Sequence, residues 1–289
     1  MFSIILSLIC SVSVGVLLKI AKRYEVTFMQ IIGWNYVIAL LLAWILFTPD
    51  VENLSFNRTL SAIFSSLWVL LPLVFLIQAW SLHKVGIVKT DIAQRLSLFI
   101  PILASYFLFN ETFTTYKIIG LILAFVAIFF TLDRAENTSN DSKKWQYPLL
   151  VLVGFGVIDV LFKKIVSVSD IPFTTSLFVV FCGAFVLTWI FNLYQIFTQK
   201  QQFSIRNLYW GIALGLLNFG NIYFYLRAHK ELPENPSTVF ATMNLGVIIL
   251  GSLIGVIAFK EKLNKKNYFG IALALIAVVL IVLSQIQSK

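Results

Sequence analysis

Asp91 and Arg95 stand four residues apart in the stretch Val88–Phe109, which is otherwise apolar enough to cross a bilayer. That spacing puts both on one helix face, with Gln94 beside them. A charge inside a membrane segment is costly, so it faces a cavity or a partner. Arg95 has the chemistry to receive a carboxylate or phosphate, and Asp91 to hold Arg95 or an amine. The plainer reading is a self-satisfied pair that anchors the helix at the interface. Asp159 and Lys163 repeat the spacing in Tyr147–Phe162. Asp159 has the depth to carry a coupling proton; a bridge to Lys163, which ends the stretch and can snorkel, is the alternative. Asn218, Asn221 and Tyr225 form one helical stripe, and Asn244 opens a similar patch in the next apolar stretch. Gln30 and Trp34 share a face by the four-residue rule. These amides and rings are candidates for lining a solute cavity, or for bonding helix to helix, worth about 1 kcal/mol each in membranes.

Ten apolar stretches must position these residues: Phe2–Leu18, Phe28–Thr48, Ala62–Leu82, Val88–Phe109, Tyr116–Leu132, Tyr147–Phe162, Ile171–Phe197, Asn207–Ala228, Pro236–Phe259 and Asn267–Ser284. Most approach the roughly 20 residues that span the hydrocarbon layer. The 289 residues are 59% apolar and 12% charged. A water-soluble domain carries about twice that share of charge. The expected class is therefore an all-α integral membrane protein with ten transmembrane helices. The net charge of +9 does not imply nucleic acid. Its Lys and Arg residues are scattered among short connections instead of forming a stripe with interleaved aromatics. Cys10 and Cys182 are too few for a disulfide framework and too far apart for a metal site. No metal or cofactor is expected.

The chain repeats itself. Glu111–Leu132 recurs as Glu261–Val282, with Glu111/Glu261, Gly120/Gly270, Leu123/Leu273, Ala124/Ala274 and Ala127/Ala277 identical. Phe28/Phe173, Ala39/Ala184, Trp44/Trp189 and Ile45/Ile190 extend the series at a slightly shorter offset. The expected organisation is a five-helix repeat over 1–133, a polar linker over 134–146 and a second five-helix repeat over 147–289. Duplicating an odd number of spans inverts the second copy across the membrane. Each motif Glu sits at a tight turn, where a carboxylate caps the next helix start and pins the hairpin; proton coupling is the sharper alternative.

With Phe109-Asn110-Glu111…Gly120 and Phe259-Lys260-Glu261…Gly270 duplicated in a five-plus-five arrangement, the chain resembles the drug/metabolite transporter superfamily, in its ten-span EamA-like branch. The resemblance covers nearly the whole chain. It implies an inverted-repeat carrier in the cytoplasmic membrane that moves small organic solutes, often outward, without naming one. It also leans toward cytoplasmic termini. The basic residues lean the other way: Lys19, Lys22, Arg23, Lys84, Lys143, Lys144, Lys260 and Lys262 crowd the odd-numbered connections, which the positive-inside bias places in the cytoplasm. Orientation stays open at this point.

The function expected is a secondary transporter of a small organic metabolite, amino acid-like or related, working by alternating access. The alternatives are an integral-membrane enzyme and a passive channel or sensor. No Gly-x4-Gly-Lys-Ser/Thr loop is present for direct ATP drive. His83 and His229 belong to no metal or catalytic set, and both are expected to be solvated at span ends. The expected partners are a small-molecule solute and the lipid bilayer; a monomer is plausible.

Overall fold

The structure is a computed structural model, described over residues 2–21, 24, 26–50, 58–85, 87–131, 146–168, 171–200, 202–260 and 263–287. All regular structure among these residues is helical. The segments are α1 (Phe2–Ala21), α2 (Phe28–Phe47), α3 (Arg58–Lys84), α4 (Ile87–Leu96), α5 (Phe99–Phe107), α6 (Thr115–Thr131), α7 (Gln146–Val168), α8 (Phe173–Gln199), α9 (Ile205–Glu231), α10 (Pro236–Phe259) and α11 (Lys265–Gln287). Six helices among the described residues are long and apolar enough to cross a membrane: α1, α2, α3, α8, α10 and α11. Ile92–Phe107 and Thr115–Thr131 are shorter apolar segments. α7 and α9, at 23 and 27 residues, have the length and carry the polar residues singled out above. The linker over 134–146 lies outside the described residues except for Gln146, which opens α7.

Several expected elements differ in their bounds, and two of the differences bear on the candidate residues. Val88–Phe109 is not one helix, because it breaks at Ser97–Leu98 between α4 and α5. Pro101 is the cause. It has no N–H to give the Ser97 carbonyl, and its ring crowds that carbonyl. In α5 it falls in the first turn, where a missing donor is harmless. Tyr147–Phe162 is too short, since α7 runs on to Val168. Lys163 therefore does not end the helix and does not snorkel; it is 2% exposed.

The chain divides into two compact units that cut across the sequence halves. Unit 1 comprises residues 80–160 and 231–289; unit 2 comprises 2–79 and 161–230. Each unit therefore draws helices from both halves.

In unit 1, α6 packs along α11, and α10 packs against α5, α6 and α11. α6 and α11 are the two copies of the repeated segment. A Cβ on Gly120 would lie 2.7 Å from Ile281 and 3.2 Å from the Ala277 carbonyl. One on Gly270 would lie 2.5 Å from the Thr131 nitrogen. The order of these contacts makes the helices antiparallel. Each motif glycine sits where the other copy's helix comes closest, because only a missing side chain lets the backbones approach. The repeat also shows at the helix ends. Asn110 and Lys260, the residues before each motif Glu, have φ of 51° and 53°. Both turn the chain out of a helix through the left-handed region.

Gly270→Ala is expected to cost about 1–3 kcal/mol, as overpacking against an unyielding backbone does. Gly120→Ala should cost somewhat less, because the backbone atoms it would meet lie at 3.2 and 3.3 Å, behind Ile281 Cγ1 at 2.7 Å, whereas Gly270 would meet backbone at 2.5 Å. Thermal unfolding of the purified variants in detergent checks the order.

In unit 2, α2 runs antiparallel to α8. Asn192 donates to the Met29 carbonyl (3.0 Å), Trp189 donates to the Gly33 carbonyl (3.2 Å), and the Trp44 ring meets Phe178. These helices, too, are copies of one another in the repeat. α9 lies parallel to α2. Its Gly211 and Gly215, four apart, admit Trp34 and Ile38. Trp68 of α3 covers Gly183 and donates to the Val179 carbonyl at 2.9 Å, so this ring joins helices. Trp44 and Trp80 are exposed, as belt residues are.

Candidate functional site

Glu111 is buried in unit 1 at the turn before α6. Its carboxylate accepts from Lys117 Nζ at 2.7 Å, from Ser237 Oγ at 2.7 Å and from the Ser237 backbone N–H at 2.9 Å. Lys117 Nζ also donates to Asn235 Oδ1 at 2.8 Å. Ser237 is the second residue of α10, so the carboxylate satisfies a donor that the helix start leaves open. The expectation placed the cap at the next helix start, α6; the carboxylate instead accepts from the start of α10. Lys117 and Ser237 surround the carboxylate, which is closed off from solvent. Glu261 lies outside the described residues. Its copy of the motif has Asn267 where Lys117 stands, and Ile87 where Ser237 stands. Asn267 instead donates to the Phe130 and Thr131 carbonyls, closing the end of α6.

Unit 1 also holds the candidates Asp91, Gln94, Arg95, Asn244 and Asp159. Gln94 and Arg95 are half-buried on α4, each with interactions of its own. Asp91 belongs to the same helix; its side chain lies outside the described set. Asn244 on α10 donates to the Phe240 carbonyl one turn back (3.1 Å) and is half-buried. Asp159, at the end of the α7 segment that belongs to unit 1, is half-buried and has interactions of its own.

Unit 2 holds Gln30, Trp34, Asn218, Asn221 and Tyr225, each engaged with a neighbour. Gln30 Oε1 accepts from Asn207 Nδ2 at 2.8 Å and from the Ser204 N–H at 3.3 Å. Asn207 Oδ1 accepts from the Thr27 N–H at 3.2 Å. Each amide thus caps the start of the other's helix, tying α2 to α9 at their first turns. Asn218 donates to Asn35 Oδ1 at 3.1 Å. Ser7 of α1 donates to the Asn221 side chain and carbonyl, at 3.0 and 2.9 Å. Trp34 sits edge-on to Trp189, centroids 5.1 Å apart, with its Nε1 buried and unpartnered. Tyr225 packs edge-on to His229 at 4.8 Å and near Phe162.

Sequence reasoning expected His229 at a solvated span end, and the structure buries it completely. α9 continues past Ala228, so the ring is held among Tyr225 and the helices of unit 2. Lys163, also buried, is close enough to act on it electrostatically. The side chain of His83 lies outside the described set. Asn207, Asn192, Ser237 and Lys117 went unnoticed in the sequence. Lys117 alone left a signal, a cation in the first turn of an apolar helix, where the helix dipole disfavours it.

Comparison with known proteins supplies what the local geometry does not. The model of the EamA-like transporter family matches residues 1–133 and again 146–283. The chain belongs to the EamA-like transporter family. An uncharacterized protein of Haemophilus influenzae is 40% identical over 285 residues, covering 96% of both chains. A solved crystal structure superposes over 100% of this chain and 98% of its own with a TM-score of 0.74. At 11% identity that likeness speaks for the fold alone. EamA-like membership makes this an integral, multi-pass membrane protein with the character of a small-solute transporter. Within that family setting, the paired amides of unit 2 and the Glu111 cluster of unit 1 are among the polar groups buried between the apolar helices.

Proposed function

We propose that this EamA-like chain is a secondary carrier of a small organic metabolite, amino acid-like or related, and that it exports its solute across the cytoplasmic membrane by alternating access. Ten spans form two five-helix repeats of opposite orientation, over 1–133 and 147–289, joined by the linker at 134–146. The observation that carries the reading is the antiparallel pairing of repeat-equivalent helices, α6 with α11 and α2 with α8, in a chain whose two halves each match the transporter family. Related helices that run in opposite directions are what an inverted repeat requires, and inversion gives a carrier two exchangeable shapes.

On this reading the candidates for contacting a solute are, within unit 1, Gln94, Arg95 and Asn244 and, separately within unit 2, Gln30, Trp34, Asn218, Asn221 and Tyr225. Asp91 completes the Arg95 face. Asp159 carries the coupling proton. The interhelical bonds that now hold Asn218 and Gln30 are the ones a solute would exchange for its own polar groups. Gly120 and Gly270 keep α6 and α11 together through the cycle.

Counterflow tests the proposal. Proteoliposomes preloaded with an unlabelled amino acid should accumulate the labelled form transiently and saturably. Its absence, with every solute that accumulates in cells lacking the chain, would remove the carrier reading. Unsaturable leakage would replace it with a pore.

A further inference from the structure

A second polar feature lies outside all of these residues. In unit 2 an open cavity of about 400 Å³ runs between α3 and α7, with Arg58 and Lys164 among its lining residues. Two cations on one cavity repel each other. Neither has an ion-pair or hydrogen-bond partner among the described residues. A cavity that gathers unneutralised positive charge calls for an anion.

Its shape says which kind. Arg58 opens the membrane-crossing segment Arg58–Ser81, so the guanidinium stands at the level where a span meets the headgroups. Thr59 adds a hydroxyl beside it. From there Ala62, Ile63 and Ser66 continue the wall along α3, roughly 12 Å into the apolar layer at 1.5 Å per residue. Ser66 gives its hydroxyl to the Ala62 carbonyl at 2.7 Å, so its proton is already spoken for and this lower wall is largely apolar. Leu161 of α7 closes the other side. The cavity is thus charged at its mouth and apolar below. A solute dissolved in water has no need of that floor, whereas a lipid has a phosphate for one end and a chain for the other. Arginine suits phosphate through its planar fork of donors, and a lysine adds a point charge.

We propose that Arg58 and Lys164 form a binding site for the phosphate of an anionic membrane lipid, with an acyl chain lying along Ala62, Ile63 and Leu161. The site needs only an embedded chain, so its test does not depend on solute transport.

The experiment is native mass spectrometry of the full-length chain. It is released from nanodiscs that contain phosphatidylglycerol and phosphatidylcholine in equal amounts. The wild type should retain phosphatidylglycerol preferentially. Arg58→Ala/Lys164→Ala should lower that preference about tenfold or more, as losing two interfacial cations implies. Lys200→Ala/Arg206→Ala, which removes two cations elsewhere in unit 2, should leave it unchanged. Circular dichroism of each variant verifies the fold, and Arg58→Gln with Lys164→Gln provides a second pair of the same kind. Equal retention of both lipids, or an unchanged preference in both pairs, overturns the site. A second arm titrates inorganic phosphate into the chain in neutral micelles. Weak binding supports the lipid; tight binding that depends on Arg58 and Lys164, and that displaces phosphatidylglycerol, would assign the site to a free phosphate and overturn the lipid.

Discussion

Lys117→Met is expected to lower the stability of the folded chain by about 3–5 kcal/mol, the usual consequence of stripping one partner from a buried ion pair. Lys117 and Glu111 are each 1% exposed at the side chain. Removing the ammonium leaves a carboxylate in a low-dielectric setting with only the two donors of Ser237. It also frees Asn235, which precedes α10. The loss should appear as a lower unfolding temperature in detergent. The double variant Lys117→Met/Glu111→Gln should recover part of it, because the uncompensated charge is gone while the amide oxygen still caps Ser237. Failure to recover would mean that the effect comes from packing of the lysine stem and not from charge. A loss below about 1 kcal/mol would show a pair no stronger than an exposed one, and the cluster would not pin α10 as described.

Asp159→Asn is expected to reduce counterflow at least tenfold while the amount of protein in the membrane stays constant. The substitution is nearly isosteric, so a packing role would survive it, whereas a group that must gain and lose a proton would not. Asp159 is half-buried on α7, one turn before the buried Lys163, and a carboxylate within a membrane span is costly to keep charged. Flux measured in proteoliposomes with an imposed proton gradient distinguishes coupling from binding. A variant that exchanges solute but no longer responds to the gradient has lost its coupling. One with normal flux and normal gradient response would take Asp159 out of the mechanism.

The legible part of the fold was the part written twice. Glu111…Gly120 and Glu261…Gly270 stood out because one local requirement, a helix end, a turn and a close approach between helices, recurs with the same residues. Membrane-crossing segments were legible because the bilayer leaves a chain few options. The break at Ser97–Leu98 was not, although Pro101 is its cause, because Pro72 sits inside α3 without breaking it; local sequence does not tell the two prolines apart. The partner of Glu111 was out of reach for another reason. Ser237 lies 126 residues away, and nothing in the motif points toward it. The amides of α2 and α9 were visible as stripes. That Gln30 would cap Ser204 while Asn207 caps Thr27 depends on two helix starts meeting, which a pattern along one helix cannot encode.

The inverted repeat underlies the rest, and cysteine accessibility tests it most directly. With Cys10 and Cys182 replaced, Tyr24→Cys and Ser169→Cys place one thiol in each of two repeat-equivalent connections. A membrane-impermeant maleimide applied to intact cells, and then to inverted vesicles, should label the two positions from opposite sides. Labelling of both from the same side would mean that the halves enter the membrane alike, and the antiparallel pairing of α6 with α11 would have to arise without inversion.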